Sequence, residues 1–203
     1  IMENGLVVLL NREDRQTLDR WLTLLPEEVI ESRPGLLLMK AWHHHFVGQL
    51  DAVLHAIEKA EVLLDQREKE DESAEFRQIL RGLIAELRAQ DVYCRGQPEQ
   101  SVTYCREALT LLPRSWTYAR GGVILYLALG MQAIGEGDAV ETEIIELYEA
   151  LPNKTDGYAL RLLMGLCLVY LQSGRLVLLE ETARHLLNQS IQSNLVVVQG
   201  WGH

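Results

Sequence analysis

Side chains able to do chemistry are sparse in this sequence. The densest group is the run His43-His44-His45. Consecutive residues of a helix point about 100° apart, so three neighbours cannot converge on one metal ion. A helical zinc pair uses i, i+4 spacing, and the other candidates, His55 and His185, are distant in the chain. Histidines on a helix surface or packed in a turn are the simpler reading, and no metal site is assigned. The three cysteines, Cys94, Cys105 and Cys167, are too few for a disulfide framework and fit a reducing compartment. They read as buried structural thiols, although Cys94 and Cys105 belong to helices of one hairpin and could approach each other. The acidic pairs Glu27-Glu28, Asp71-Glu72 and Glu180-Glu181 are sequence neighbours and suit solvated helix faces better than acid–base work. No G-x-S-x-G elbow, kinase signature or Cys/His nucleophile arrangement can be placed. No catalytic residue is assigned, and the chain is expected not to be an enzyme.

The composition sets the frame for these residues. The chain has 203 residues and a net charge of −10, with 48% hydrophobic and 24% charged side chains. That balance excludes a wholly disordered chain. The acidic excess argues against direct contact with nucleic acid or an anionic membrane, both of which favour clustered Lys and Arg. No run of about 18 apolar residues offers a transmembrane helix. The segment Ile1-Met2-Glu3-Asn4 lacks the basic start of a signal peptide. A cytoplasmic location is expected.

The chain is organised as repeats. Gly48, Gly96, Gly137 and Gly174 head similar segments at spacings of 48, 41 and 37. Seven residues before each stands a small side chain (Ala41, Ala89, Gly130, Cys167), and twelve before stands an aliphatic one (Leu36, Ile84, Leu125, Leu162). The small residue lets two helices approach closely, and the aliphatic one packs beneath. After each glycine comes an apolar stripe at helical spacing, such as Leu50, Val53, Leu54, Ile57 and Ala60. Leu25-Pro26, Leu112-Pro113 and Leu151-Pro152 read as stops. The pattern predicts first helices over 34–47, 75–95, 115–135 and 156–173. Second helices are predicted over 15–25, 49–66, 97–112, 138–151 and 175–190. Two-helix units cannot bury their apolar faces alone, so they stack. The fold class is therefore all-α, a right-handed α-solenoid. The polar stretch 66–75 reads as a long loop or frayed helix ends. The apolar runs 5–10 and 193–201 read as parts of further first helices, so residues 1–203 are expected to be a single superhelical segment excised from a longer protein.

The glycine turn, the small residue before it, Ala60 and Ala108 twelve after it, and Pro113 together resemble the tetratricopeptide pattern. A more specific resemblance runs through Thr17–Val29, Ser32–Leu38, Leu80–Ala89, Gly96–Pro113 and Arg120-Gly121, which look like stretches of MalT-like regulators of the LuxR family. The resemblance implies a sensor region between an ATPase module and a C-terminal helix-turn-helix. This segment holds neither a G-x-x-x-x-G-K-S/T loop nor a basic recognition helix, so ATP is expected as a cofactor of the whole protein only, and this segment is expected to touch no DNA. The implied mechanism is an effector that binds the ATP-bound, self-associating form better than the resting one. A generic tetratricopeptide adaptor for another protein is the alternative.

In tetratricopeptide-like solenoids, first-helix residues thirteen, ten, six and three before the turn glycine tend to line the concave groove. Carried over, these are Gly35, Leu38, Trp42 and His45, then Leu83, Glu86, Gln90 and Tyr93. The later units give Ile124, Leu127, Met131 and Ile134, then Arg161, Met164, Leu168 and Leu171, nearly all apolar and in need of cover. Trp42, His45, Glu86, Gln90 and Tyr93 are the candidate ligand-binding residues, for a small-molecule effector or a protein partner. Trp42 and Tyr93 also read as ordinary core aromatics. Arg33, Arg81 and Arg120 form a ladder near the starts of successive first helices. Arg33 and Arg81 lie fifteen before their glycine, and Arg120 lies seventeen before Gly137 but fifteen before Gly135. The ladder could meet an acidic ligand, or pair with acids of the neighbouring repeat.

Overall fold

A computed structural model describes residues 2–12, 14–66 and 73–193. Those residues are all-helical, with no strand among them. The elements are α1 (Met2–Arg12), α2 (Arg15–Leu24), α3 (Glu27–Glu31), α4 (Pro34–Phe46), α5 (Leu50–Gln66) and α6 (Ala74–Cys94). They continue with α7 (Pro98–Leu111), α8 (Thr117–Ala133), α9 (Gly137–Glu149), α10 (Gly157–Gln172) and α11 (Leu176–Ser193). The expected ends are met within a few residues for α2 and for α4 to α11. One helix was not expected. Pro26, read as a stop, is the N-cap of the short α3, with Glu27 and Glu28 in its first turn where the helix dipole favours them.

Consecutive helices pair as α4 with α5, α6 with α7, and α10 with α11, while α8 packs against both α7 and α10. α8 also pairs with α9, and each of the four pairs turns on a glycine whose φ is positive: Gly48, Gly96, Gly135 and Gly174, at 70 to 84°. Only glycine holds that left-handed state without strain. The residue after each glycine donates back to a carbonyl of the preceding helix: Gln49 to His44 at 2.9 Å, Gln97 to Val92 at 3.0 Å, Glu136 to Met131 at 2.8 Å and Arg175 to Tyr170 at 2.9 Å. This is the Schellman closure of a helix C-terminus.

The third turn corrects the predicted register. Gly135, not Gly137, is the turn residue, and Gly137 is the first residue of α9. Glycines two apart satisfy the same sequence pattern, and the backbone hydrogen bond from Glu136 to Met131 decides between them. With Gly135 in place, the small residue seven before is Ala128 and the aliphatic one twelve before is Val123, both buried. The groove-lining positions of that unit become Gly122, Leu125, Leu129 and Gln132 instead of Ile124, Leu127, Met131 and Ile134. Ile124, Leu127 and Met131 belong to the core. The arginine ladder also falls into register, with Arg120 fifteen before its turn like Arg33 and Arg81.

The core is one continuous cluster running from Leu9 to Leu186. Asp14, Ser73 and Asp156 cap α2, α6 and α10, each accepting from the backbone N–H three residues on, at 3.0, 3.1 and 2.7 Å. The N-terminal helix departs from the predicted stacking. It packs against α8, not as the first helix of a unit placed before α4. The stretch 67–72 and the expected helix start beyond Ser193 lie outside the described residues.

Candidate functional site

Side chains from α4, α6, α8 and α10 meet in one buried cluster. Trp42, late in α4, is 1% exposed, and its ring stands edge-on to Tyr118 of α8 at 5.3 Å and to His45 at 5.5 Å. Phe46 closes the group, with the Arg15 guanidinium 4.3 Å over its ring. The Arg161 guanidinium of α10 lies 4.4 Å from the centre of the Tyr118 ring, a cation–π geometry. Arg161 also donates to the Gly157 carbonyl at 3.0 Å.

Beside this aromatic wall lies a buried acid–amide pair. Glu86 is fully buried and accepts a hydrogen bond from the Gln90 amide one turn along α6. Both face Gly122, where a Cβ would stand 2.6 Å from Glu86 Oε1. A Cβ on the neighbouring Gly121 would overlap the Arg161 side chain. The two glycines thus let α8 pass close to the Glu86 carboxyl on one side and the aliphatic stem of Arg161 on the other. Burial pushes the Glu86 carboxyl well above the usual carboxylate range, against the opposing pull of the Gln90 hydrogen bond and the Arg161 charge.

Three buried polar atoms here have no hydrogen-bond partner among the described residues: Trp42 Nε1, Glu86 Oε2 and Gln90 Oε1. Unmatched buried groups cost about 1–3 kcal/mol each and are uncommon in folded proteins. The three are one N–H donor, one carboxyl oxygen and one amide oxygen.

Each sequence candidate can now be placed. Trp42, Glu86 and Gln90 are buried, where groove-lining side chains were expected to be open. Trp42 and His45 meet each other, as do Glu86 and Gln90. Tyr93 is partly buried on a different flank, against Tyr126 at 5.8 Å, and burial pushes the Tyr126 hydroxyl up. The pKa of His45 is lowered by burial and by Arg15. Tyr118, Gly121 and Gly122 were missed, and Arg161 was seen only as part of an apolar set. The signal for Gly122 was present: counting from Gly135, it stands thirteen before the turn, as Arg161 does before Gly174.

The remaining chemistry-bearing residues are occupied elsewhere. His43 Nδ1 meets Asp19 at 2.6 Å and His44 Nδ1 meets Gln49 at 2.8 Å, so the three histidines point to three environments. Among the described residues, no group of His, Cys, Asp and Glu could hold a metal ion. Cys105 and Cys167 are buried, their thiols pushed up to about 12 and about 11, but Cys94 is exposed, contrary to expectation. Of the arginine ladder, Arg81 pairs with Asp65 on the preceding helix at 3.5 Å, whereas Arg120 donates to the Leu109 and Leu112 carbonyls and closes the end of α7. A hollow of about 440 Å³, open to solvent, lies elsewhere, where Glu61 and Arg88 already pair with each other. No helix among the described residues is long and apolar enough to cross a membrane.

Comparison with known proteins gives a partial likeness. The chain is 30% identical over 115 residues to the HTH-type transcriptional regulator MalT of Yersinia enterocolitica serotype O:8 / biotype 1B, covering 55% of this chain and 12% of that protein. It is 28% identical over 112 residues to MalT of Yersinia pestis (strain Pestoides F), again 55% of this chain and 12% of that one. The matched region spans about an eighth of these relatives' length. No family model matches the chain, and no solved structure does. The likeness supports a helical region related to a transcriptional regulator.

Proposed function

We propose that this chain is the signal-sensing repeat region of a MalT-like transcription regulator of the LuxR family. Its paired helices form a right-handed α-solenoid of tetratricopeptide-like units. An effector or partner binds on the inner face and biases an ATPase switch that lies outside this chain. The similarity to an HTH-type transcriptional regulator over roughly half the chain carries the reading. The four glycine turns with one shared hydrogen-bond pattern support the repeat architecture.

In this reading the segment performs no reaction. ATP binds elsewhere in the full-length protein, and DNA is contacted elsewhere. Self-association of the whole cytoplasmic protein is the output. The effector's share of the mechanism is purely thermodynamic: it must bind the active state better than the resting one, and the ratio of those affinities limits the shift. Glu86, Gln90 and Trp42 supply the unmatched polar atoms it would meet, His45 stands against Trp42, and Tyr93 lies against Tyr126.

The test uses the full-length regulator. Trp42, His45, Glu86, Gln90 and Tyr93 are changed singly to Ala, and inducer-dependent transcription is measured alongside the thermal melt of each protein. Loss of induction in variants that still fold is expected. Unchanged induction in well-folded variants contradicts the assignment. If no phosphate loop precedes the segment and no helix-turn-helix follows it, the adaptor reading replaces this one.

A further inference from the structure

We infer that the exposed edge of α11 is a self-association face, along which a second copy of this chain lays its own α11 in the opposite direction. The four second helices, counted from their turn glycines, carry the inference. Residues three, seven, ten and fourteen after the glycine share one face of a helix. In α5, α7 and α9 all of them are exposed, although a further helix packs behind each. Stacking of one pair on the next therefore leaves this face open. Its first residue is an acid in α5, α7 and α9 (Asp51, Glu99 and Asp138), where the positive end of the helix dipole favours it. In α11 the same place holds Val177, and no acid stands in the first turn. The seventeenth residue continues the face in the longer α5 and α11, as exposed Asp65 in the first and Ile191 in the second. Val177 is 71% exposed and Ile191 58%. The last second helix has thus exchanged charge for apolar surface at both ends of its open edge, and such surface gains by leaving water.

The order of side chains along the edge selects the occupant. Val177 and Ile191 stand about 21 Å apart along the helix, and Arg184 lies midway, seven residues from each. An edge with like ends reads the same when reversed. A two-fold axis passing at Arg184 sets Val177 of one copy against Ile191 of the other, and does so at both ends. The charges between them suit the same axis. Arg184 and Glu180 are both well exposed and meet at 2.6 Å within one copy. Across the axis the two Arg184 guanidiniums lie between the Glu180 and Glu181 carboxylates of both copies, so cations and anions face each other. Two helix edges bury less than the roughly 1,200 Å² of a stable complex, so the pairing is weak and reversible. It needs no effector and goes beyond the sensing role proposed above.

Sedimentation velocity of the 203-residue chain over a wide concentration range tests it. The parent is expected to pass from monomer to dimer with a midpoint of about 10–100 μM. Val177→Asp gives α11 the acid that α5, α7 and α9 carry at that place, so its thermal melt is expected to hold, while the midpoint moves at least about 10-fold higher. Ile191→Asp is expected to weaken the dimer in the same way. The direction of pairing is read by oxidation in a Cys94→Ser background, which removes the exposed native thiol. Val177→Cys together with Ile191→Cys is expected to give a disulfide-linked dimer, and Val177→Cys alone is not. The two sites are about 21 Å apart on one helix and cannot join within one copy. A parent that stays monomeric, a dimer untouched by both acidic variants, or cross-linking by Val177→Cys alone as strong as that of the pair would overturn the inference.

Discussion

The buried cluster and the outer face of the molecule treat polar groups in opposite ways. On the outer face, charges are paired and wet: Lys40 with Glu27 and Glu31, Arg106 with Glu143, Arg175 with Glu141, Arg184 with Glu180. Most of these partners keep a substantial part of their side chains in water, where such pairs contribute at most about 1 kcal/mol. In the cluster, Glu86, Gln90 and Trp42 are withdrawn from water and their bonding is left incomplete. A fold under selection for stability alone would place apolar side chains there. The difference is one of solvent: the surface pairs keep much of their side chains in water, and the buried cluster leaves three polar atoms without partners.

That contrast can be broken by substitution. The largest effect is expected at Gly121, where a methyl group meets the Arg161 side chain and forces α8 from α10. Gly121→Ala should destabilise the protein by about 1–3 kcal/mol in urea titrations, as overpacked cores do. A loss no larger than that of an outer-face substitution would show that the close approach is unimportant.

Next comes the acid. The folded-state pKa of Glu86 lies above its ordinary value of 4.5, so the folded protein binds more protons than the unfolded chain as pH rises from there. Its contribution to stability is full below that value and is lost as pH rises through the folded-state pKa. Glu86→Gln keeps the shape and removes the titration. The difference in melting temperature between parent and variant should therefore shift toward the variant with increasing pH. The opposite slope would mean that Glu86 is a stabilised anion paired with Arg161.

The smallest effect belongs to the outer face. Arg106→Ala removes an ion pair with Glu143 and should cost less than about 1 kcal/mol in the same titrations, and less still at high salt. A larger, salt-insensitive loss would remove the distinction between the faces.

Much of the fold was legible in the sequence because it rests on local rules. Apolar spacing marks the helices, and glycine marks the turns. The third turn was misread because Gly135 and Gly137 flank one residue and both suit a turn; only the left-handed backbone and its hydrogen bond tell them apart. The short α3 was missed because Pro26 ends one helix and begins another. The docking of α1 on α8 was out of reach, since it joins Asn11 to Ser115 and Tyr118 by tertiary contact alone. Site residues were named in part: Glu86 and Gln90 were picked out by their distance from the turn glycine, but that register does not tell whether a side chain faces a groove or a sealed interior. Tyr118 and Gly122 acquire meaning only beside Trp42 and Glu86.

The most direct measurement of the central claim is a thermal-shift screen of small molecules against the parent chain, Gln90→Ala and Arg106→Ala. A molecule bound by the folded state alone raises the melting temperature in proportion to its occupancy. The account predicts a molecule that stabilises the parent and Arg106→Ala equally and leaves Gln90→Ala unshifted. A molecule that stabilises Gln90→Ala as much as the parent, and fails with Arg106→Ala, would place recognition on the outer face and contradict it.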